Sequence, residues 1–273
     1  KGENAQNFVA AVRDAGGIIT MQDLANYTVE VYDAYKTTYR GYGIASTSPA
    51  SAGPVVLEAL NIAENFDVSQ YAHNSAEYYH FWSQVFKCAI GDFNSAIEDP
   101  MYGDQSRALG MVTKEYAAKR AEEIDMDGGI PASYLPGSPY VYAKYNDQEG
   151  NTTHLSVIDK DGNMCAMTNT LGDFFGSYVT AYNGGYMIEC TRSITSDYRA
   201  EAGKQAKSPM CPCFVFDPEG RPMVATGTPG SNRIMATNTL IISDIIDYGM
   251  SLEEAVNAQR MFQQSGALEI EDY

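Results

Sequence analysis

The sequence predicts an α+β fold of layered helices and sheet, on three observations. Helical periodicity recurs through the first half, paired β-branched runs lie between His154 and Thr226, and an apolar helical stretch from Arg233 to Tyr248 follows them. Helices, then sheet, then helix give segregated layers, whereas a Rossmann-type sheet needs strands and helices to alternate. At 273 residues the chain can bury a sizeable core.

The elements follow in order. Ala5 to Ala15 places Phe8, Val9 and Val12 at helical spacing, and Gly16-Gly17 supplies the left-handed residue that closes such a helix. Met21-Gln22-Asp23-Leu24 begins a short second turn. Tyr27 to Tyr39, rich in Val, Thr and Tyr, reads as a strand, and Tyr42 to Ser46 as another. The small-residue loop Ser48 to Pro54 feeds a helix whose apolar side is Val55, Val56, Leu57, Leu60 and Ile62. A longer helix runs from Ser75 to about Asn94, and a further one covers Lys114 to Ile124. Gly128-Gly129, Pro131, Pro136, Gly137 and Pro139 then break all periodicity and mark the best linker. Beyond it, His154 to Asp159 and Met164 to Leu171 flank the turn Lys160-Asp161-Gly162-Asn163, a hairpin by every local rule. Strands are expected at Tyr186 to Cys190, Cys213 to Phe216 and Pro222 to Thr226.

Composition excludes several classes. With 18 Lys+Arg against 35 Asp+Glu the formal net charge is −17, which opposes a broad phosphate-binding surface, so no nucleic-acid partner is expected. No apolar run is long enough for a membrane span. The five cysteines lack Cys-x-x-Cys spacing, and Cys211-Pro-Cys213 reads as two core thiols on one face, so neither metal nor cofactor is expected. The chain opens with no basic or apolar leader pattern, and its last residues, Ile270 to Tyr273, look like the continuation of a helix without a stop. Both ends read as the inside of a longer protein.

Chemistry is concentrated at Asn151-Thr152-Thr153-His154. A hydroxyl is a weak nucleophile inside a chain, but a threonine made N-terminal by one cleavage carries its own base, an α-amino group of pKa about 7.7–8.0. The hairpin returns Thr168 or Thr170 alongside Thr152, and either hydroxyl can support the nucleophile; alternating threonines are also simply good strand formers. The loop Thr226-Gly227-Thr228-Pro229-Gly230-Ser231-Asn232 leads from a strand into a helix, where exposed N–H groups favour an oxyanion or a carboxylate. It lacks the lysine of a P-loop. The three histidines, His73, His80 and His154, read as packing residues, His154 beside the nucleophile.

At this point the residues resemble those of the γ-glutamyltranspeptidases, a family of N-terminal-nucleophile (Ntn) hydrolases. The likeness is carried by Thr152 to Val157 with Asp159 and Gly162-Asn163, by Gly16 to Thr20 with Asp23-Leu24 and Tyr27, and by Arg40-Gly41-Tyr42. Pro49 to Gly53, Leu60-Asn61-Ile62 with Phe66, Asp99-Pro100 and Tyr248-Gly249-Met250 continue it in the family's order. The resemblance implies a four-layer α/β/β/α sandwich, incomplete here at both ends. Residues 1–151 would be the C-terminal part of the large-subunit-like region and 152–273 the N-terminal part of the small-subunit-like region, together one structural domain. It also implies autocatalytic cleavage between Asn151 and Thr152, transfer or hydrolysis of a γ-glutamyl group from glutathione-like amides, and a periplasmic or secreted location. By position, Thr152 is the nucleophile, Thr170 its supporting threonine, and Gly230 and Ser231 the oxyanion pair.

The substrate grip departs from the family. Gly172 stands where an asparagine is usual, Glu189-Cys190-Thr191-Arg192-Ser193 replaces an amide-rich and acidic segment, and Ser208-Pro209 replaces a Ser-Ser pair. Each hydrogen bond lost to a charged group costs about 1.5–3 kcal/mol. Arg192 offers a bidentate replacement for carboxylate binding. Two alternatives therefore accompany the main reading: an amidase or acylase with a non-glutamyl donor, and an unprocessed or inactive homologue serving as a binding module. The sequon Asn151-Thr152-Thr153 would matter only in a glycosylating host, where a sugar would block cleavage.

Overall fold

A computed structural model describes residues 2–128, 151–190, 201–264 and 267–271. Helix α1 (Glu3–Asp14) ends as expected, with Gly16 at φ 87° and the Gly17 N–H bonded to the Val12 carbonyl. Helix α2 (Met21–Asn26) starts on a capping box in which Thr20 and Asp23 satisfy each other's backbone N–H groups. The anticipated strand from Tyr27 is shorter than expected: only Tyr35–Tyr39 (β1) pairs, and Tyr27, Val29 and Val31 are exposed. A β-rich segment without a neighbouring strand edge stays extended but forms no ladder. Strand β2 (Tyr42–Ser46) returns through a turn with positive φ at both Arg40 (51°) and Gly41 (87°), the geometry of a type I′ hairpin.

Helix α3 (Gly53–Ala63) is buried on every side, as its near-uniform apolar sequence requires. It packs against β1, β2 and the helices α4 (Ala76–Ala96), α5 (Ser106–Met111) and α6 (Lys114–Ala121). Trp82 stacks on Phe86 within α4 at 5.5 Å between ring centroids. The linker from 129 to 150 lies outside the described residues. Strands β3 (Thr152–Ile158) and β4 (Met164–Thr170) form the expected hairpin. The expected strand Tyr186–Cys190 is instead part of an irregular loop. Ser177 donates both its N–H and its hydroxyl to the Ile188 carbonyl, which ties this segment to its own loop rather than to a sheet.

Strands β5 (Cys213–Phe216) and β6 (Pro222–Thr226) complete an antiparallel sheet of order β1-β2-β5-β6. Its Ile44, Cys213, Val215 and Val224 side chains enter the core with helix α7 (Arg233–Asp247). The alternate residues face the other way, so that Phe214 shares a cavity wall with Ala166 of β4. Helices, sheet and hairpin therefore stack in that order, an α/β/β succession, and the outer face of the hairpin leaves Leu155, Val157 and Met167 exposed. Helix α8 (Leu252–Asn257) follows, and the chain then enters a second hairpin, β7 (Met261–Gln264) with β8 (Ala267–Ile270), in place of the expected helix. Cys211 and Cys213 are both fully buried; burial pushes the Cys213 thiol up to about 12 and the Cys211 thiol well above its usual range. Among the described residues no helix is long and apolar enough to cross a membrane.

Candidate active site

The β3–β4 turn sets the register. The Asp159 carboxylate accepts from the backbone N–H groups of Asp161 and Asn163 and from the Asn163 side chain, while Gly162 takes φ 84°. The Asn163 side-chain bond is the largest of the influences holding that carboxyl below its usual range. In the resulting ladder Thr152 faces Thr170, and His154 faces Thr168. Of the two threonines that spacing left open, it is Thr170, the one the resemblance implies, that meets Thr152, hydroxyl to hydroxyl at 3.0 Å. Thr168 instead bonds His154 Nδ1 at 2.8 Å.

The chain on either side of the junction is held as well. Asn151 donates its N–H to the Gly172 carbonyl (3.3 Å) and accepts from the Leu171 N–H (3.4 Å) and from the Thr170 hydroxyl (3.3 Å). Gly172 in turn donates its N–H to the Thr170 oxygen at 3.0 Å, with its own φ at 84°. A left-handed residue is what this tight return requires, and glycine adopts it freely.

His154 is not placed as a base for Thr152. Its Nε2 lies 2.7 Å from the Ser156 hydroxyl, so hydroxyls engage both ring nitrogens, and burial lowers its pKa toward the neutral form. The ring fills the space above Gly227, the first residue of the β6–α7 loop. Because Thr152 lies two residues from His154, it projects from the same face of β3, toward that loop.

In the loop Gly230 has φ 130° and Ser231 has φ 54°. Their carbonyls accept from Arg233 and Ile234 as α7 begins, while neither the Gly230 nor the Ser231 N–H has a protein acceptor among the described residues. Arg233 is braced by Glu269, 2.7 Å from Nη2, and lies over the Phe262 ring. Sequence reasoning missed this brace, and no local pattern signals it, since the partners are 36 residues apart.

The substrate-binding candidates are more dispersed. Ser208 donates its N–H to the Ala50 carbonyl and pairs with Ser51, while its hydroxyl accepts from the Met210 N–H at 3.2 Å. Arg192 lies outside the described residues. The chain that leads to it is anchored at Cys190, whose N–H bonds the Leu171 carbonyl at 2.9 Å. Between sheet and hairpin lies a cavity of about 440 Å³ whose walls include Tyr27, Tyr32, Ser48, Ala166 and Phe214. Ala166 shares the inner face of β4 with Thr168 and Thr170, roughly 13 Å along the strand from Thr170. No group of His, Cys, Asp and Glu among the described residues is arranged to hold a metal ion.

Comparison with known proteins places this geometry in context. The profile of the Gamma-glutamyltranspeptidase family matches residues 1–273. A glutathione hydrolase proenzyme of Pseudomonas sp. (strain A14) is 36% identical over 97% of this chain and 48% of that protein. An acylase ACY 1 proenzyme of Pseudomonas sp. (strain SE83) is 31% identical over 94% of this chain and 45% of that protein. The chain thus spans about half the length of the curated relatives it matches. Among solved structures, the cephalosporin acylase of Bacillus halodurans superposes with a TM-score of 0.78 at 24% identity, over 96% of this chain and 46% of that one, a likeness of fold.

Proposed function

Since the chain belongs to the gamma-glutamyltranspeptidase family, we propose that it carries the cleavage junction and nucleophile of an N-terminal threonine enzyme, an Ntn-hydrolase. In this reading the precursor is cut between Asn151 and Thr152 into a large and a small subunit. The product hydrolyses small γ-glutamyl amides of the glutathione type, or transfers their acyl group.

The observation that carries the reading is the 3.0 Å contact between the Thr152 and Thr170 hydroxyls in a register fixed by the Asp159 turn. After cleavage the Thr152 α-amino group takes the proton from its own hydroxyl as the oxygen attacks the amide carbonyl. The N–H groups of Gly230 and Ser231, which have no acceptor among the described residues and lie at the positive end of α7, suit the oxyanion that forms. Water or an amine then resolves the acyl-enzyme. Mass spectrometry for a new Thr152 N-terminus, combined with turnover of a γ-glutamyl anilide, tests this. Thr152→Ala is expected to stay uncut and inactive; a Thr152→Ala chain that is cut and active would sink the reading.

A second reading, an acylase with a less polar donor, draws on Ser208-Pro209, on Gly172 and on the aromatic cavity on the inner face of β4. The similarity to an acylase proenzyme supports it. Parallel rates on γ-glutamyl and aliphatic or aromatic acyl anilides separate the two.

A further inference from the structure

We propose that the cavity between sheet and hairpin is a binding site for an organic ammonium group, an alkyl or arylalkyl amine in its charged form, with Glu30 as its counter-charge and aromatic side chains in its walls. Such a site is independent of the role of Thr152 as a nucleophile. Of the described residues that line this space of about 440 Å³, Glu30 alone carries a charge, and none is Lys, Arg or His. An anionic ligand would meet uncompensated repulsion there, and an uncharged one would leave the carboxylate without a counter-charge. Ser46 and Ala50 are buried at the floor, beside Phe214, whereas Tyr27 and Tyr32 are exposed at the rim. A space this small brings one ligand within reach of all its walls, and a cation within about 6 Å of an aromatic ring centroid is attracted by the ring. The apolar stem of an amine suits the Phe214 and Pro212 surfaces.

The Glu30 carboxylate is fixed by one of its oxygens. Oε2 accepts from the Tyr32 hydroxyl and from Gln205 Nε2 at 2.6 Å, while Oε1 has no partner among the described residues. Both donors are neutral groups. The bond to Glu30 is the largest influence on the Tyr32 phenol and pushes it up to about 12, so the phenol keeps its proton and the carboxylate keeps its charge. Gln205 is held in turn, its N–H donating to the buried Asp99 carboxylate at 2.5 Å. Lys204, next to Gln205 in the chain, pairs with Glu201 at 3.3 Å and lies over the Tyr102 ring rather than joining Glu30. The segment from Tyr27 to Ala34, which joins no sheet, is thereby tied down at Glu30, and one oxygen of a fixed carboxylate stays open in the cavity wall. Ala166 in the facing wall lies roughly 13 Å along β4 from Thr170. A group seated here is out of bonding reach of Thr152, so the cavity binds and does not react.

Isothermal titration of the full chain at neutral pH with phenethylamine, its uncharged counterpart 2-phenylethanol and the anion phenylacetate tests the site. Wild type is expected to bind phenethylamine about 10–100-fold more tightly than 2-phenylethanol, the size of one charge-assisted contact, and phenylacetate more weakly than either. Glu30→Gln, at an exposed position where the change removes charge and keeps shape, is expected to bind the amine and the alcohol alike. Thr152→Ala is expected to bind all three as wild type does, whether or not the chain is cut at Asn151. Equal affinity of wild type for amine and alcohol, or a preference undiminished in Glu30→Gln, overturns the site. Loss of amine binding in Thr152→Ala overturns it as well, since the ligand would then sit at the nucleophile. Anilides of ω-aminoacyl chains and of unsubstituted acyl chains of equal length separate two sources of the ammonium group. A kcat/KM preference for the ω-amino chain that Glu30→Gln removes assigns it to the tail of an acyl donor, and equal rates, or none, beside retained phenethylamine binding assign it to a free amine.

Discussion

The His154 ring occupies the space a side chain at Gly227 would need: a Cβ there would lie 2.2 Å from its Cε1 and 2.4 Å from its Nδ1. This contact, beside those the hairpin makes with β5 and β6, helps seat the β3–β4 hairpin, which bears Thr152, against the loop that bears Gly230 and Ser231.

Gly227→Ala should therefore lift the hairpin from the sheet and cost about 1–3 kcal/mol, the usual range for overpacking. His154→Ala in the same chain makes room, so the double variant should be less destabilised than the sum of the two. Urea denaturation of the four chains measures the coupling, and strict additivity would show that the ring and the glycine do not constrain each other.

Ser231 sits at φ 54°, where a side chain costs about 1–2 kcal/mol and glycine costs little. If the oxyanion site uses only its N–H, Ser231→Gly should keep kcat/KM within about threefold of wild type and be no less stable. A loss of a hundredfold or more, the size seen when an oxyanion donor is removed, would assign the work to the serine hydroxyl.

Glu58 of α3 is fully buried beside Asp92, and neither of its carboxyl oxygens has a conventional donor among the described residues. Asp92 already accepts from Tyr116 (2.8 Å) and lies 3.1 Å from the Arg120 guanidinium. Burial first, and the charge of Asp92 second, push Glu58 well above the carboxylate range, so it keeps its proton and points it at Asp92. A raised native pKa means that the native state binds more protons than the unfolded one. The stability this contributes is complete below the unfolded value, about 4.3, and is lost as pH rises. Glu58→Gln carries no proton to lose. Its stability relative to wild type should climb above about pH 4.3 by up to about 1.4 kcal/mol per pH unit, until the native pKa is reached. Thermal melts of both chains between pH 4 and 8 measure this, and a constant difference would mean that Glu58 is ionised in the fold.

Arg40 closes the C-terminal end of α3, donating to the carbonyls of Ala63, Glu64 and Phe66 and pairing with Asp247 at 3.0 Å. Arg40→Ala should cost about 2–3 kcal/mol, since charge-assisted bonds to helix-end carbonyls are lost. Arg40→Gly should cost about 1 kcal/mol less, because glycine tolerates the φ of 51° that alanine does not. Equal stabilities for the two would show that the turn carries no backbone strain.

Local chemistry made much of this legible in advance. Gly16 and the Asp159–Asn163 turn act within a few residues, and the structure realises them as the sequence suggests. The misread segments are those whose state depends on whether their backbone groups find a strand partner. Tyr27 to Ala34 has strand-forming residues but no edge to join, and the tail after Arg260 pairs with itself rather than extending a helix.

The candidate site divides along the same line. The sequence alone determined that a threonine opens a hairpin strand and that a glycine-containing loop enters a helix, while an altered substrate grip at Gly172 and Ser208-Pro209 is what the family resemblance implies. Only the tertiary structure decided that the Thr152 and Thr170 hydroxyls lie within hydrogen-bond distance, that His154 packs on Gly227, and that Glu269 braces Arg233. The physical reason is range. Propensity and turn chemistry are properties of neighbours along the chain, whereas a hydrogen bond between two hydroxyls, or the charge of a buried carboxyl, depends on which strands and helices meet and how much water they exclude.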